Sequence, residues 1–332
     1  MNAVILAGGF GSRLSPVTDL LPKPMVSVGL KPMIDYTVSH LWEVGVRDFI
    51  FTLSYKPADI IDWCVGYNGA TCRFSLESTP LGTLGGVKAV EPFLKEHFIV
   101  ISGDVIENID ISAMLNKHLS SGALVTMAVK EVEDGSKFGM CEIDGFGHIT
   151  GFVEKPQDGR GGYANAGVYI VDKSVMSLVP LDVKLDFSKD LFGVLVERGQ
   201  LSAFIHDGYW RDCGTLQAYY ETNFEMLKGG FYKSAPNHHS HKRQGFRTGG
   251  EGQSLISTTA NVEGDVFNSI VEPGSFVAKS ATLTNCIVLE NTYVIGSYEN
   301  AIIGKTFMLP MQPTLTQKAL SAYQYLKSFG MV

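Results

Sequence analysis

From residue 1 to about 230 the chain alternates short apolar runs with segments of helical periodicity. The apolar runs predict strands at 4–6, 49–53, 98–101, 124–127 and 166–171. Between the first two runs, Ile34, Val38, Leu41 and Trp42 form a helical stripe that ends at Gly45. Strands that alternate with helices are typical of an α/β fold, in which a mostly parallel sheet carries helices on both faces. Ligands of such sheets bind beyond the carboxyl ends of the strands, so the residues after each apolar run are candidate site residues.

The pattern changes beyond residue 230. The polar segment 237–245 predicts a linker or loop and contains His238, His239 and His241. These histidines could bind a metal, although no Cys or carboxylate accompanies them at ligand spacing, or they could form a phosphate-binding edge. Both alternatives remain open.

A six-residue repeat follows the polar segment. Pairs with an aliphatic residue begin at Ile270, Phe276, Thr282, Val288 and Val294, and this spacing predicts a parallel β-helix. Two ordinary hairpins are the alternative. An apolar stripe near the end of the sequence predicts an amphipathic helix that packs on the coil or on a partner. The chain thus divides into an α/β domain, a linker, a β-helix and a terminal helix, at 1–232, 233–254, 255–310 and 311–332.

The composition is that of a globular protein with room for two domains, since 45% of the 332 residues are hydrophobic and 18% are charged. The net charge of -7 argues against a nucleic-acid partner, because duplex binding requires clustered Lys and Arg. We expect no membrane partner and a cytoplasmic location, since no apolar run approaches bilayer length and the N-terminus enters a strand without a signal-peptide pattern. The five cysteines are widely spaced and form no Cys-x-x-Cys pair, so we expect reduced thiols.

A glycine-rich loop follows the first predicted strand. Val4-Ile5-Leu6 leads into Gly8-Gly9-Phe10-Gly11-Ser12-Arg13, and Pro22-Lys23-Pro24 comes shortly afterwards. Glycines let backbone N–H groups approach an anion, and Arg13 and Lys23 add positive charge, so the pattern favours a polyphosphate ligand. The dinucleotide fingerprint would need Gly or Ala at Leu14, and a Walker loop would need Gly-Lys-Ser/Thr at residues 11–13. A plain glycine-rich turn is the remaining alternative.

Two carboxylates are candidate Mg²⁺ ligands. Asp104 follows the apolar run that ends at Ile101, and Asp212 precedes a helical segment for which Thr215 is a plausible N-cap. Mg²⁺ prefers oxygen ligands and often combines one or two carboxylates with substrate phosphates. Taken alone, Asp104 could equally belong to an Asx turn and Asp212 could be a solvated loop acid.

The residues 6–14 and 21–25 together resemble the signature of the sugar-1-phosphate nucleotidyltransferases, also called nucleotide-sugar pyrophosphorylases. The resemblance implies a Rossmann-like catalytic domain in which Arg13 and Lys23 are catalytic and Asp104 and Asp212 bind Mg²⁺. It also implies nucleotide contacts from the loop, at Leu6, Ala7, Gly8, Gly9, Gly11 and Ser12. The chain departs from the family at Leu30, where Gly or Asn is usual before Lys-Pro.

Further blocks resemble the family in the same order. The segment 77–88 resembles the nucleobase loop, and its small residues could lie flat against a base, although Leu84 replaces the usual Ala. The implied nucleotide contacts are Glu77, Pro80, Gly82, Thr83 and Gly103. Glu154-Lys155-Pro156 and Asn165 match sugar-phosphate contacts of the family. Read without the resemblance, Glu154 and Lys155 would be a surface ion pair and Asn165 a turn residue before a strand.

The resemblance implies that a sugar 1-phosphate attacks an NTP and forms an NDP-sugar and pyrophosphate. Our best hypothesis is GTP with mannose 1-phosphate or a related hexose or heptose 1-phosphate. Alternatives are a thymidylyl- or uridylyltransferase acting on glucose or N-acetylglucosamine 1-phosphate, a regulatory subunit of the same fold, and an enzyme that also transfers acyl groups. A regulatory subunit would be expected to lose Arg13, Lys23, Asp104 or Asp212, and all are present. Family members often carry a left-handed β-helix, whose exposed end coils favour homo-oligomers.

Overall fold

A computed structural model describes residues 1–228, 246–249 and 254–313. In the first of these ranges the strands are β1 (Asn2–Leu6), β2 (Ser27–Val28), β3 (Lys31–Pro32), β4 (Asp48–Leu53), β5 (Thr71–Leu76), β6 (His97–Ser102), β7 (Val105–Glu107), β8 (Val125–Val132), β9 (Gly139–Ile143), β10 (Ile149–Glu154), β11 (Gly162–Asp172), β12 (Leu201–Ile205) and β13 (Trp210–Asp212). The helices are α1 (Met33–Glu43), α2 (Pro57–Cys64), α3 (Gly82–Ala89), α4 (Ile111–Ser121), α5 (Phe192–Glu197) and α6 (Leu216–Leu227). The five strands and the helical stripe predicted from the apolar pattern are therefore confirmed, with shifted ends.

The central sheet has nine strands. Strands β5, β4, β1 and β6 lie side by side and run parallel, and the sheet continues through β11, β8 and β12. β11 is antiparallel to both of its neighbours, and the β9–β10 hairpin joins its first half. The predicted α/β class is confirmed, with antiparallel strands added to the parallel ones.

Both faces of the sheet are buried. Val4 on β1 belongs to a core with Leu84 of α3 and Phe192 of α5. Its neighbour Ile5 belongs to a second core with Val38 of α1 and further residues of α2 and α4. Because successive strand residues point to opposite faces, this division confirms helices on both sides of the sheet.

The C-terminal strands are β14 (Phe246–Gly249), β15 (Ser254–Ser257), β16 (Asn261–Val262), β17 (Asp265–Phe267), β18 (Ile270–Val271), β19 (Phe276–Val277), β20 (Thr282–Val288), β21 (Tyr293–Val294), β22 (Tyr298–Ile303) and β23 (Met308–Pro310). They form three parallel stacks: β15–β18–β20–β22, β16–β19–β21 and β17–β20–β22. Among the described strands of this region, only β14 and β23 run antiparallel to their partners, which are β15 and β22, respectively. Val277, Leu283, Val288 and Val294 are buried inside. The parallel pairing confirms a coil and excludes two hairpins, while the left-handed sense stays a prediction.

The coil packs on the α/β domain through a shared core that includes Tyr220 of α6 and Ile287 of β20. The Tyr220 hydroxyl also donates to the Asn285 carbonyl oxygen at 2.7 Å. Gly29 and Leu30 form the two-residue turn between β2 and β3, and both have positive φ (57° and 68°). This conformation is typical of type I′ hairpin turns, and partial burial in the shared core accommodates Leu30 there.

Several predictions fall wholly or partly outside the described residues. Within the predicted linker, 246–249 form β14 and residue 254 begins β15. The three histidines and nearly all of the predicted terminal helix lie outside the described ranges. In the described part of the chain, no helix combines the length and apolar character required to cross a bilayer.

Candidate active site

The glycine loop leaves the carboxyl end of β1, which is fixed on both sides by its neighbours. The Ala7 amide donates to the Thr52 carbonyl oxygen at 3.1 Å, and the Gly103 amide donates to the Leu6 carbonyl oxygen at 2.9 Å. The ends of β1, β4 and β6 are thereby held together. This places the loop at the edge of the sheet where α/β proteins bind their ligands.

Gly11 has a positive φ of 65°, which glycine adopts without strain. A short helical turn over Ser12–Leu14 follows, with Leu14 buried and Arg13 exposed. A Cβ added to Gly214 would stand 3.2 Å from Arg13 Nη2 and 2.9 Å from Asp212 Oδ1. Arg13 therefore reaches across to the β13–α6 turn, beside one of the candidate metal ligands.

Lys23, Asp104 and Asp212 form a charged cluster. Lys23 begins a short helical turn, is only 6% exposed, and its Nζ pairs with Asp104 and lies 3.5 Å from Asp212 Oδ1. Antiparallel pairing of β7 with β13 places Asp212 opposite Val105, next to Asp104. The structure thus brings Lys23 together with Asp104 and Asp212, which lie 81 and 189 positions further along the sequence.

Burial and charge set the ionisation of this cluster. Burial disfavours the Lys23 ammonium, but Asp104 and Asp212 outweigh it and raise the pKa of Lys23. Burial also opposes ionisation of Asp104, yet Lys23 and the Ser102 hydroxyl hold its pKa below the ordinary value. The pKa of Asp212 is raised by burial and by the charge of Asp104. Lys23 and Asp104 are therefore charged near neutral pH.

The cluster suits a hard divalent cation. The carboxylates of Asp104 and Asp212 both lie beside one cationic group, the Lys23 ammonium. Among the described residues no group of three or more His, Cys, Asp or Glu could hold a metal. Mg²⁺ needs no such cage, because it commonly binds one or two carboxylates and completes its shell with water and substrate phosphates. The donor set thus fits Mg²⁺ bound together with a nucleotide.

A cleft of about 240 Å³ opens beside this cluster. Seven of the predicted site residues line it: Leu6, Arg13, Thr83, Glu154, Lys155, Asn165 and Asp212. The remaining predicted residues do not line this cleft: Ala7, Gly8, Gly9, Gly11, Ser12, Lys23, Glu77, Pro80, Gly82, Gly103 and Asp104. Of these, Lys23 contacts the lining residue Asp212, and Asp104 accepts from the hydroxyl of the lining residue Ser102.

The predicted sugar-phosphate residues also line the cleft. Lys155 Nζ lies 3.4 Å from Glu154 Oε1, and both side chains are partly exposed. Asn165 lies inside β11 at a bulge, not in a turn before the strand, and its Nδ2 donates to the Tyr169 hydroxyl at 2.9 Å. Gly167, with φ 74°, donates to Asn165 Oδ1 and fixes the amide orientation. The bulge therefore directs the Asn165 side chain to the cleft.

The predicted nucleobase loop is in part a helix, which corrects our expectation. From Gly82 onward the segment forms α3, and Leu84 is buried in the core. A Cβ on Gly82 would stand 2.4 Å from the Leu185 carbonyl oxygen, so this glycine permits a close backbone approach. Glu77 accepts from the Leu81 amide at 3.0 Å, and burial raises its pKa. Glu77 therefore holds the start of the helix in this structure.

The cleft also contains residues that the sequence did not reveal, including Lys137, Asp186 and Ser188. The sequence offered one signal for Lys137, namely the flanking glycines Gly135 and Gly139. In the structure both glycines are packed too closely for a Cβ. Asp186 and Ser188 had no such signal, because the alternating apolar and polar residues of 181–188 indicate a strand and not a binding site. Their place in the cleft depends on long-range packing.

Comparison with known proteins identifies the family of the chain. The Nucleotidyl transferase family matches residues 2–229, and the chain belongs to that family. It is 36% identical to the mannose-1-phosphate guanyltransferase of Candida albicans over 222 residues, which cover 64% of this chain and 61% of that protein. It is 30% identical to the probable mannose-1-phosphate guanylyltransferase 2 of Oryza sativa subsp. japonica over 319 residues, 92% of this chain and 86% of that one.

A solved structure shows the same likeness. HddC from Yersinia pseudotuberculosis complexed with GMP-PN is 32% identical with a TM-score of 0.58, covering 68% of this chain and 99% of that chain. The chain spans 61% of the length of the fungal relative. Family membership is therefore established through the α/β domain.

Proposed function

We propose that the chain is a sugar-1-phosphate nucleotidyltransferase that forms GDP-mannose and pyrophosphate from GTP and mannose 1-phosphate. One observation carries the proposal: Lys23 pairs with Asp104 and Asp212, and Asp212 lines the same cleft as Glu154, Lys155 and Asn165. The two groups of residues suit a triphosphate and a sugar phosphate, respectively. The guanyltransferase relatives and the structure bound to GMP-PN support the choice of base and sugar.

The proposed reaction is an in-line displacement at the α-phosphorus. A phosphate oxygen of mannose 1-phosphate forms the new P–O bond, and the bond from the α-phosphorus to the bridging oxygen of pyrophosphate breaks, with the electron pair leaving on pyrophosphate. The attacking oxygen is already anionic near neutral pH, so no general base is required. One phosphoanhydride replaces another, and the reaction is reversible.

The residues of the cluster act by positioning and charge. Lys23 and Arg13 neutralise the charge that develops on the α-phosphate and on the leaving pyrophosphate. Asp104 and Asp212 would hold Mg²⁺, which when bound supplies further charge neutralisation on the phosphates. Lys155 holds the attacking phosphate and Glu154 the sugar hydroxyls, so that the nucleophile approaches opposite the leaving group.

The remaining expectations are proposals of the same kind. We propose that the enzyme acts in the cytoplasm, which the free state of all five cysteines supports. We also propose a homo-oligomer through the β-helix, because Tyr293 and Ile295 are 78% and 75% exposed at the edge strand β21, whose outer side has no pairing partner among the described residues.

The test is pyrophosphate release with Mg²⁺ over a matrix of the four NTPs and dTTP against mannose-, glucose-, N-acetylglucosamine- and heptose 1-phosphates. Release for GTP with mannose 1-phosphate, abolished in Asp104→Asn, is the expected result. Release only with dTTP or UTP would instead support the thymidylyl- or uridylyltransferase alternative. Silence across the matrix from a folded protein would contradict the proposed activity.

A further inference from the structure

A segment of the cleft wall forms backbone hydrogen bonds with the start of helix α3. We call this segment, residues 182–188, the cleft strap. The Leu185 amide donates to the Leu81 carbonyl oxygen at 2.9 Å, and the Leu84 amide donates back to the Leu185 carbonyl oxygen at 2.9 Å. The backbones of the strap and of the proposed nucleotide segment are thus in direct contact.

Side chains reinforce this contact at Thr83. The Thr83 amide and hydroxyl both donate to Asp186 Oδ1 at 3.2 Å. The same hydroxyl accepts from the Phe187 amide at 3.1 Å. Asp186 is held in turn, because its amide donates to Asp190 Oδ2 at 2.7 Å. The amide and hydroxyl of Thr83 are therefore both engaged with the strap.

The other end of the strap contacts the sugar side. The Phe187 ring packs on Tyr169 with centroids 5.3 Å apart. The Tyr169 hydroxyl accepts from Asn165 Nδ2. A continuous series of contacts therefore runs from Thr83 in the proposed nucleotide segment to Asn165 among the predicted sugar-phosphate residues, and Asp186 lies near its start.

We propose that Asp186 is a positioning residue that fixes the nucleotide segment and the sugar-side wall in one relative arrangement. This inference rests on the proposed function. Asp186 acts through Thr83 and Phe187, and the reaction depends on their alignment because the two substrates must meet in line. An NDP-sugar would contact the nucleotide segment and the sugar-side wall at once, whereas GTP or mannose 1-phosphate would contact only one of them. Loss of alignment therefore weakens the spanning ligand most.

The test is calorimetric titration of the full chain, in the presence of Mg²⁺, with GDP-mannose, GTP and mannose 1-phosphate separately. For Asp186→Ala we expect about tenfold weaker binding of GDP-mannose, the size of one charge-assisted hydrogen bond, and less than about a twofold change for GTP or mannose 1-phosphate. Asp186→Asn keeps an acceptor oxygen and should restore most of the loss. Lys184→Ala, an exposed residue of the same strap, is the matched control and should bind like the wild type.

Thr83→Val provides a second route, since it removes the hydroxyl that joins Asp186 to Phe187. If the two residues act as one unit, Thr83→Val should weaken GDP-mannose binding about as much as Asp186→Ala does, and the double variant should be little worse than either single one. Equal weakening of GTP and GDP-mannose, or unchanged GDP-mannose binding, would overturn the role of Asp186. Binding by the wild type reports on the proposed function, and only the ratio of variant to wild type bears on Asp186.

Discussion

Gly11 packs against Lys23 so closely that a Cβ added to Gly11 would stand 2.9 Å from the Cβ of Lys23. The Thr18 hydroxyl closes the same contact by donating to the Gly11 carbonyl oxygen at 2.9 Å. The glycine loop and Lys23 therefore fix each other's position. A side chain at position 11 would displace the ammonium from Asp104 and Asp212.

We expect Gly11→Ala to lower kcat/KM by about tenfold to a hundredfold, because the new Cβ both moves Lys23 and strains a residue with positive φ. Steady-state pyrophosphate release measures the effect. Gly145→Ala is the matched control, since no atom lies within 4 Å of the added Cβ. Full activity of Gly11→Ala would show that the contact does not set the position of Lys23.

Lys23 itself should be indispensable for rate. Its removal deprives the phosphates of a buried positive charge, and we expect Lys23→Met to lower kcat by about 10²- to 10³-fold. Lys23→Arg should not restore the activity, because the planar guanidinium differs in shape from the compact ammonium that fits between the two carboxylates. A kcat of Lys23→Met within a few fold of the wild type would contradict the proposed role, provided that circular dichroism shows an intact fold.

Two exposed glycines with free space around them should respond oppositely to alanine. Gly193 lies in α5 with ordinary φ, so Gly193→Ala should stabilise the protein by about 0.5–1 kcal/mol through lower entropy of the unfolded chain. Gly122 ends α4 with φ 67°, so Gly122→Ala should destabilise it by about 1 kcal/mol. Thermal midpoints of the two variants give the comparison. A stability change of the same sign in both variants would mean that backbone conformation is not the deciding factor.

The sequence predicts those parts of the fold and site that depend on local residue patterns. Strand β1 with its glycine loop is one such part, and the N-cap of α6 is another, since Thr215 accepts from the Ala218 amide at 3.2 Å. The proximity of Asp104 to Asp212 is different, because it depends on the pairing of two three-residue strands, β7 and β13. Strands this short leave no periodic signal.

Glycines are ambiguous in a sequence for a physical reason. In the segment 77–88 they suggest a loop that lies against a base, but Gly82 and Gly85 instead allow α3 to approach the backbone of the cleft strap. A Cβ at Gly85 would stand 2.5 Å from the Val183 carbonyl oxygen. The partner segment is about a hundred residues away in sequence, so only the folded chain reveals which use the glycine has.

The junction between the two domains contains a buried acid whose ionisation should depend on pH. Glu272 is 5% exposed, and its Oε1 has no hydrogen-bond partner among the described residues. Burial raises its pKa to about 8, although the amide of Glu290 and the side chain of Ser27 favour the ionised form. The folded-state pKa lies above the unfolded value of about 4.3. Ionisation of Glu272 therefore leaves the free energy of unfolding unchanged at acidic pH and lowers it progressively as pH rises toward 8.

Glu272→Gln should match the wild type near pH 4.5 and be more stable by a few kcal/mol above about pH 8, as measured by thermal midpoints across this range. Glu263→Gln, an exposed acid of the same coil, is the matched control and should not reproduce this gain. An equal difference between Glu272→Gln and wild type at all pH values would show that Glu272 does not titrate in the folded protein.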